Sequence, residues 1–235
     1  MIPVKGIVVS VEYDDLLAIT LPRNARHLTE IVVVTSPADA RTQEVVRSVP
    51  SARCFITDAF TRNGESFNKG AALEEAFDDL GRDGWIVIWD ADILFPNSMP
   101  FVDLDERYLY GAPRRLLERP PLPRTWANLR LSHETGYPGY FQLFHGPSAK
   151  FRPWYGLKSD HAGEGDHQFQ ENWPESDKRK LDVELLHIGP RDTNWFGRTS
   201  PRTDGLEIPD QVNRKTKMIG FLKEMGWYVP PKSDT

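Results

Sequence analysis

The stretch that decides the fold is Gly84-Trp85-Ile86-Val87-Ile88-Trp89-Asp90-Ala91-Asp92-Ile93-Leu94-Phe95-Pro96. Its run of large apolar and β-branched residues predicts a strand that is buried on both faces, and the two carboxylates lie where that strand leaves the sheet. Side chains two residues apart on an extended chain point to the same side. Asp90 and Asp92 could therefore hold one hard cation, or one could hold the cation and the other a sugar hydroxyl. A strand that ends in an ordinary polar turn is the alternative.

Strands and helices alternate along the chain before this stretch. The predicted strands cover residues 6–11, 30–36, 53–58 and 84–90, and the predicted helices carry Leu17 and Leu21, then Val45 to Val49, then Leu73 to Leu80. Alternation with short links predicts a mostly parallel sheet with helices on both faces. Such sheets bind ligands beyond the carboxyl ends of their strands, where Asp90 and Asp92 lie.

Composition limits the classes of protein that need to be considered. The chain has 235 residues, 39% hydrophobic content and a formal net charge of -5, which fits one α/β domain without a global attraction for nucleic acid or anionic membranes. Its single cysteine, Cys54, excludes an intramolecular disulfide and fits a reducing compartment. No apolar segment approaches the roughly 20 residues that span a bilayer, and the first residues lack a signal-peptide pattern. We therefore expect no transmembrane segment and a cytoplasmic protein.

The two commonest phosphate-binding loops are absent from the sequence. No Gly-x-Gly-x-x-Gly follows the first predicted strand, and no Gly-x-x-x-x-Gly-Lys-Ser/Thr occurs anywhere in the chain. A bound nucleotide would need another partner for its phosphate charge. A cation held by the paired carboxylates Asp90 and Asp92 is the obvious one.

The Asp90 to Pro96 segment, together with Phe67-Asn68-Lys69-Gly70-Ala71-Ala72 at the start of a helix, resembles the donor half of a GT-A glycosyltransferase. It is most similar to the large inverting group called family 2, which carries an Asp-x-Asp motif. The resemblance implies an α/β, GT-A fold, which is like that of nucleotide-diphospho-sugar transferases: a Rossmann-like, mixed but mostly parallel sheet with helices on both faces. Residues 1–235 would form a single GT-A domain. Residues 1–100 would be the nucleotide-sugar donor half and residues 101–235 the acceptor half with a C-terminal helix.

The resemblance also implies a donor site. The nucleoside pocket would be lined by Ser10, Val11, Glu12 and Tyr13, the phosphates would lie near Asn68 and Lys69, and Arg191 and Arg198 could close on the diphosphate. Asp90 would face the ribose and the metal, Asp92 would bind the metal, and His187 would complete the ligand set. Carboxylates, imidazole and diphosphate oxygens suit Mn²⁺ or Mg²⁺. The family often has an acidic pair after the second strand, where this chain has Thr35-Ser36-Pro37-Ala38-Asp39, so Asp39 and Asp58 are the candidates for contact with the base.

The second half of the chain supplies the predicted catalytic and acceptor residues. Inverting transfer needs a carboxylate that takes the proton of the acceptor hydroxyl. Asp166 is the preferred base and Glu164 the other choice, although Asp166 could equally cap a helix. Trp195 could stack on a sugar face, and Trp154 and Trp195 are both predicted to contact the acceptor. The basic, proline-rich segment around Arg114 and Arg115 could meet an anionic acceptor such as a hydroxymethylated DNA base, or it could be a solvated surface excursion.

The sequence as a whole predicts a metal-dependent glycosyltransferase. It would transfer a sugar from a nucleoside-diphosphate sugar, with a UDP-sugar as the expected donor, to an acceptor hydroxyl with inversion. The late His-x-Gly with a downstream tryptophan is also similar to retaining GT-A enzymes, so the stereochemistry stays open. Two other classes compete: a nucleotidyltransferase, which normally has a glycine-rich loop after its first strand, and a non-catalytic protein that binds nucleotide sugars.

Overall fold

A computed structural model describes residues 2–62, 64, 67–132, 137–150, 153–154, 165–190 and 211–230. Its strands are β1 (Val4–Val9), β2 (Glu30–Thr35), β3 (Ala52–Ile56), β4 (Trp85–Asp90), β5 (Ile93–Leu94), β6 (Leu109–Gly111), β7 (Arg114–Leu117), β8 (Arg130–Leu131), β9 (Phe141–His145), β10 (Lys178–Lys180) and β11 (Leu185–Ile188). Its α-helices are α1 (Asp14–Asn24), α2 (Ala40–Arg47), α3 (Lys69–Leu80), α4 (Gly165–Gln170) and α5 (Gln211–Glu224).

The main sheet has seven strands in the order β10-β6-β9-β4-β1-β2-β3. The first four strands of the chain pair in parallel, and β9 is inserted antiparallel between β4 and β6. The register places Val9 of β1 beside both Val34 and Asp90, so β1, β2 and β4 end at one edge of the sheet. The predicted fold class is therefore confirmed: a mixed, mostly parallel α/β sheet.

Alternate residues of the strands enter two separate cores, because successive side chains of a strand point to opposite faces. Val8, Val33 and Val87 lie in the core that also holds Leu17 and Leu21 of α1 and Val46 of α2. Ile7, Val32 and Ile88 lie in the other core, with Leu73, Ala76 and Phe77 of α3 and Phe169 of α4. Helices cover both faces of the sheet, as the apolar run of β4 predicts.

A second, four-stranded sheet in the order β5-β11-β7-β8 stands beside the main one. Its apolar side chains pack with Leu16 and Ile19 of α1 and with Met218, Phe221 and Leu222 of α5. Lys215 of α5 also forms an ion pair with Asp14 at the start of α1. The prolines and arginines of residues 113–123 suggest a surface excursion, but its first part is instead the inner strand β7, with Leu117 fully buried.

In the described part of the chain, none of the helices is long and apolar enough to cross a membrane.

Gly6 of β1 provides a test of how tightly the main sheet is packed. A Cβ added to Gly6 of β1 would lie 2.6 Å from the ring of Trp89, which is fully buried. Overpacking of this kind costs about 1–3 kcal/mol, so we expect Gly6→Ala to lower the free energy of unfolding by that amount in urea denaturation. Gly220→Ala in α5 is the control, because no atom lies within 4 Å of its added Cβ and alanine favours a helix by about 1 kcal/mol over glycine. Equal effects of the two substitutions would contradict this packing.

Candidate active site

The Asp-x-Asp segment is held in place by α1. The buried Thr20 hydroxyl donates to the Ala91 carbonyl oxygen at 2.8 Å. The buried Asn24 side chain donates to the Ile93 carbonyl oxygen and accepts from the Phe95 amide, both at 2.9 Å. These three bonds fix the turn that carries Asp90 and Asp92. Sequence reasoning did not single out Thr20 and Asn24, although polar residues on an otherwise apolar helical face are a signal for such a role.

Asp92 and His187 are in contact, although they are distant in the sequence. Pairing of β5 with β11 places His187 opposite Ile93, and the Ile188 amide donates to the Asp92 carbonyl oxygen at 2.9 Å. The His187 Nε2 atom lies 3.1 Å from Asp92 Oδ2, and both side chains are less than 10% exposed. Two strands of the second sheet therefore bring a carboxylate and an imidazole together at the edge where β4 ends.

The spacing of these two side chains fits a shared cation. The 3.1 Å between His187 Nε2 and Asp92 Oδ2 is the length of a direct N–H···O hydrogen bond, and it is also close to the roughly 3 Å between neighbouring ligands of an octahedral ion at about 2.1 Å. The His187 Nδ1 atom is buried and makes no hydrogen bond within the described part of the chain. Carboxylate and imidazole together suit Mn²⁺. The ligand atoms of Asp92 and His187 are thus compatible with the predicted metal.

Lys69, the first residue of α3, lies between two carboxylates. Its Nζ atom is 3.1 Å from Asp90 Oδ1 and 3.5 Å from Asp166 Oδ1, and its side chain is 9% exposed. Burial alone would lower the pKa of Lys69, but the charges of Asp166 and Asp90 outweigh it and raise the pKa, so the ammonium form is stabilised. Partial burial and the neighbouring Asp92 and Asp166 carboxylates raise the pKa of Asp90 in spite of Lys69. The Lys69 ammonium therefore partly neutralises a cluster of neighbouring carboxylates.

The predicted three-ligand metal set is only partly assembled. Asp92 and His187 touch, whereas Asp90 bonds to Lys69. Within the described ranges, no group of three or more histidine, cysteine, aspartate or glutamate side chains is gathered closely enough to hold an ion. The ligand set Asp90, Asp92 and His187 stays a prediction.

A cavity of about 410 Å³ lies beyond the ends of β1 and β2, where a nucleoside is expected. It is lined by Glu12, Ser36, Ala38, Asp39, Ala40, Arg41 and Lys215. Of the four residues predicted to line the nucleoside pocket, Glu12 reaches this cavity. Ser10 is fully buried with its hydroxyl 3.4 Å from that of Thr42, whereas Val11 and Tyr13 pack partly buried against the cores.

Asp39 is a structural clamp. Its carboxylate accepts hydrogen bonds from the Glu12 amide at 2.6 Å, from the Thr42 amide at 3.0 Å and from the Thr42 hydroxyl at 2.6 Å, with the Thr35 hydroxyl 3.4 Å away. These bonds cap α2 and fix the chain after β1, where Glu12 has a left-handed φ of 64°. Asp58, the other candidate for base contact, is exposed and paired with Arg62. Asp39 lines the cavity with its carboxylate bonded within the protein, and Asp58 is exposed but paired with Arg62, so contact with the base stays a prediction for both.

The described residues predicted to bind an acceptor are engaged within the protein. The buried Arg114 guanidinium lies 4.1 Å from the centre of the Tyr140 ring. Arg115 forms a bidentate ion pair with Glu184, at 2.8 and 2.6 Å. Trp154 is 2% exposed and packs against the rings of Phe77 and Phe144. Internal partners hold all three side chains, and their role in acceptor binding stays a prediction.

The other predicted site residues are divided between described and undescribed parts of the chain. Asn68 caps α3 through a bond from the Ala71 amide to its Oδ1 atom, at 2.8 Å, beside Lys69. Asp166 is near the start of α4 and faces Lys69. Glu164, Arg191, Trp195 and Arg198 lie outside the described residues.

Comparisons with known proteins extend the fold assignment. No protein family matches this sequence, and no curated protein is similar to it. The structure is similar to that of the inositol-1-phosphate CTP transferase from T. maritima, with a TM-score of 0.53, 10% identity, and coverage of 91% of this chain and 95% of that one. At this identity the similarity shows a shared fold alone.

Two glycosyltransferase structures are also similar, at lower scores. Mannosyl-3-phosphoglycerate synthase from Rubrobacter xylanophilus has a TM-score of 0.48 and 12% identity, with 97% of this chain and 76% of that chain covered. A glycosyltransferase from Streptococcus pneumoniae has a TM-score of 0.48 and 11% identity, with 100% of this chain and 66% of that chain covered.

The clamp role of Asp39 can be measured against that of Asp58. Loss of a helix cap costs about 1 kcal/mol, and buried donors left without an acceptor cost about 1–3 kcal/mol more. We therefore expect Asp39→Ala to lower the free energy of unfolding by about 2–4 kcal/mol. Asp58→Ala should change it by less than about 1 kcal/mol, because it removes only an exposed ion pair. Urea denaturation of both variants measures the difference, and similar values for the two would show that Asp39 is not a clamp.

Proposed function

We propose that this protein is a metal-dependent glycosyltransferase that takes its sugar from a nucleoside-diphosphate sugar, with a UDP-sugar as the expected donor. The observation that carries the proposal is the contact between Asp92 and His187, 3.1 Å apart at the carboxyl edge of the main sheet. This is the edge at which parallel sheets bind their ligands. The cavity beside Glu12 and Arg41 supplies a place of suitable size for a nucleoside at the same edge.

Nucleotidyl transfer is the second candidate, because the T. maritima enzyme with the same fold is a CTP transferase. The segment after β1 favours glycosyl transfer. Nucleotidyltransferases normally have a glycine-rich loop there, whereas this chain has Ser10-Val11-Glu12-Tyr13. The buried Ser10 and the Glu12 amide, which is bonded to Asp39, belong instead to a closed structural network.

Asp92 and His187 would hold the cation, with Asp90 as the third ligand. When bound, Mn²⁺ or Mg²⁺ supplies positive charge that stabilises the diphosphate leaving group. The carboxylate of Asp166 would accept the acceptor's hydroxyl proton. The acceptor oxygen would then form a bond to the anomeric carbon as the bond from that carbon to the diphosphate breaks, with inversion. Lys69 keeps Asp166 and Asp90 in one cluster.

The acceptor would be a hydroxyl compound. The anionic-acceptor hypothesis, including a hydroxymethylated DNA base, comes from the arginine-rich segment that includes Arg114 and Arg115. Arg114 is buried beneath Tyr140, and Arg115 is neutralised by Glu184. These two arginines therefore give that hypothesis no support.

Thermal denaturation with UDP-glucose and Mn²⁺ tests donor binding. A ligand at 100 times its dissociation constant stabilises a protein by about 2.7 kcal/mol, which corresponds to a shift of roughly 5–10 °C for a chain of this size. We expect that shift only when Mn²⁺ and UDP-glucose are both present, and we expect Asp92→Asn to abolish the part that depends on the metal. Asp103→Asn is the matched control, since Asp103 is exposed near the opposite end of β1.

Product analysis then separates the three classes of function. Release of UDP from UDP-glucose, dependent on Mn²⁺ and lost in Asp92→Asn, would support glycosyl transfer. Release of pyrophosphate from a nucleoside triphosphate and a sugar phosphate would support nucleotidyl transfer in its place. Tight donor binding without either product would support a binding protein.

A further inference from the structure

Lys69 connects the two halves of the proposed active site. Its position is fixed because it is the first residue of α3 and follows the capping residue Asn68. Its ammonium group lies between Asp90 at the end of β4 and Asp166 near the start of α4, at 3.1 and 3.5 Å. It donates a hydrogen bond to Asp90 Oδ1, whereas its contact with Asp166 Oδ1 is an ion pair without a hydrogen bond. The charge of Lys69 is therefore shared between two carboxylates, and the phosphate contact that the family resemblance implies would compete with them.

Gly139 contacts Asp166 from the opposite direction. It lies in the turn just before β9, and a Cβ at this position would be 2.0 Å from both Cγ and Oδ1 of the Asp166 side chain. Real Cβ contacts do not reach such a distance, so any larger residue at position 139 must displace the carboxylate. The side chain of Gln142 in β9 donates to the Tyr137 carbonyl oxygen at 2.8 Å and lies 3.4 Å from the Asp166 carbonyl oxygen, which ties the turn to α4.

We propose that Lys69 and Gly139 are positioning residues for Asp166: Lys69 sets the distance of its carboxylate from Asp90, and Gly139 leaves the space it occupies. This inference rests on the proposed function, in which Asp166 is the base. A base must lie within hydrogen-bonding distance of the proton that it removes. A displacement of about 1 Å can cost about 100-fold in rate, so the two contacts act on the chemical step.

Kinetics of UDP release from UDP-glucose with Mn²⁺ test the positioning role. We expect Lys69→Met and Gly139→Ala each to lower kcat by roughly 100-fold, with the dissociation constant for UDP changed by less than about threefold. Lys5→Met and Gly220→Ala are the matched controls. Lys5 is also partly buried and bonded to Asp83, and Gly220 has open space around it. Both controls should keep the kcat of the unaltered protein.

Asp166→Asn makes the kinetic test specific. In that background no base remains to be positioned, so at saturating Mn²⁺ we expect Lys69→Met to have little further effect on kcat, because its effect on Asp90 would change the apparent affinity for Mn²⁺. A fall in UDP affinity with kcat unchanged would overturn the proposal and make Lys69 a phosphate contact. An equal loss of kcat in the presence and absence of the Asp166 carboxylate would also overturn it.

A double-mutant cycle measured by unfolding tests the contact between Gly139 and Asp166 without an activity assay. Gly139→Ala should raise the unfolding equilibrium constant by roughly 10- to 100-fold, and this penalty should disappear in an Asp166→Ala background because the clashing carboxylate is gone. An unchanged penalty in that background would overturn the positioning role of Gly139. If the unaltered protein binds and turns over no UDP-sugar, the proposed function fails, whereas a coupled cycle would still establish that Gly139 positions Asp166.

Discussion

The contact between Asp92 and His187 is the interaction on which the rest of the site depends. It exists because the two-residue strand β5 follows the Asp-x-Asp segment directly and pairs with β11. Thr20 and Asn24 of α1 hold the connecting turn through its backbone. The second sheet thus brings an imidazole from late in the chain to the edge at which the main sheet ends. A metal site there needs both sheets.

Charge balance is the second constraint on the site. Asp90 and Asp166 would repel each other without the ammonium of Lys69, and burial makes that repulsion stronger because the local dielectric is low. Lys69 is buried at the start of α3 beside both carboxylates, although an exposed lysine would be the ordinary expectation at a helix terminus. A cation that binds beside Asp90 would compete with Lys69 for the same carboxylate. In the proposed site, metal binding would therefore be coupled to the position of Asp166.

The sequence predicts the main sheet well and the site only in part. The apolar run of β4 specifies a strand buried on both faces, and the alternation of strands and helices specifies the parallel order. The internal contacts of Arg114, Arg115 and Trp154 could not be predicted. Their partners Tyr140, Glu184 and Phe77 are distant in the chain. The prolines after Arg114 argue against regular structure in this segment, yet β7 forms there because it pairs with β11. The same applies to Gly139, since only the fold shows that Asp166 lies against it.

Pulsed electron paramagnetic resonance of Mn²⁺ bound with UDP tests the central claim most directly, because it detects the nuclei that surround the ion. We expect coupling to phosphorus from the diphosphate and to one imidazole nitrogen. The nitrogen coupling should disappear in His187→Ala. It should persist in the control His145→Ala, because His145 lies 3.4 Å from Glu106 and is not a predicted ligand. A spectrum without nitrogen coupling, or one that His187→Ala leaves unchanged, would contradict a metal site built on Asp92 and His187.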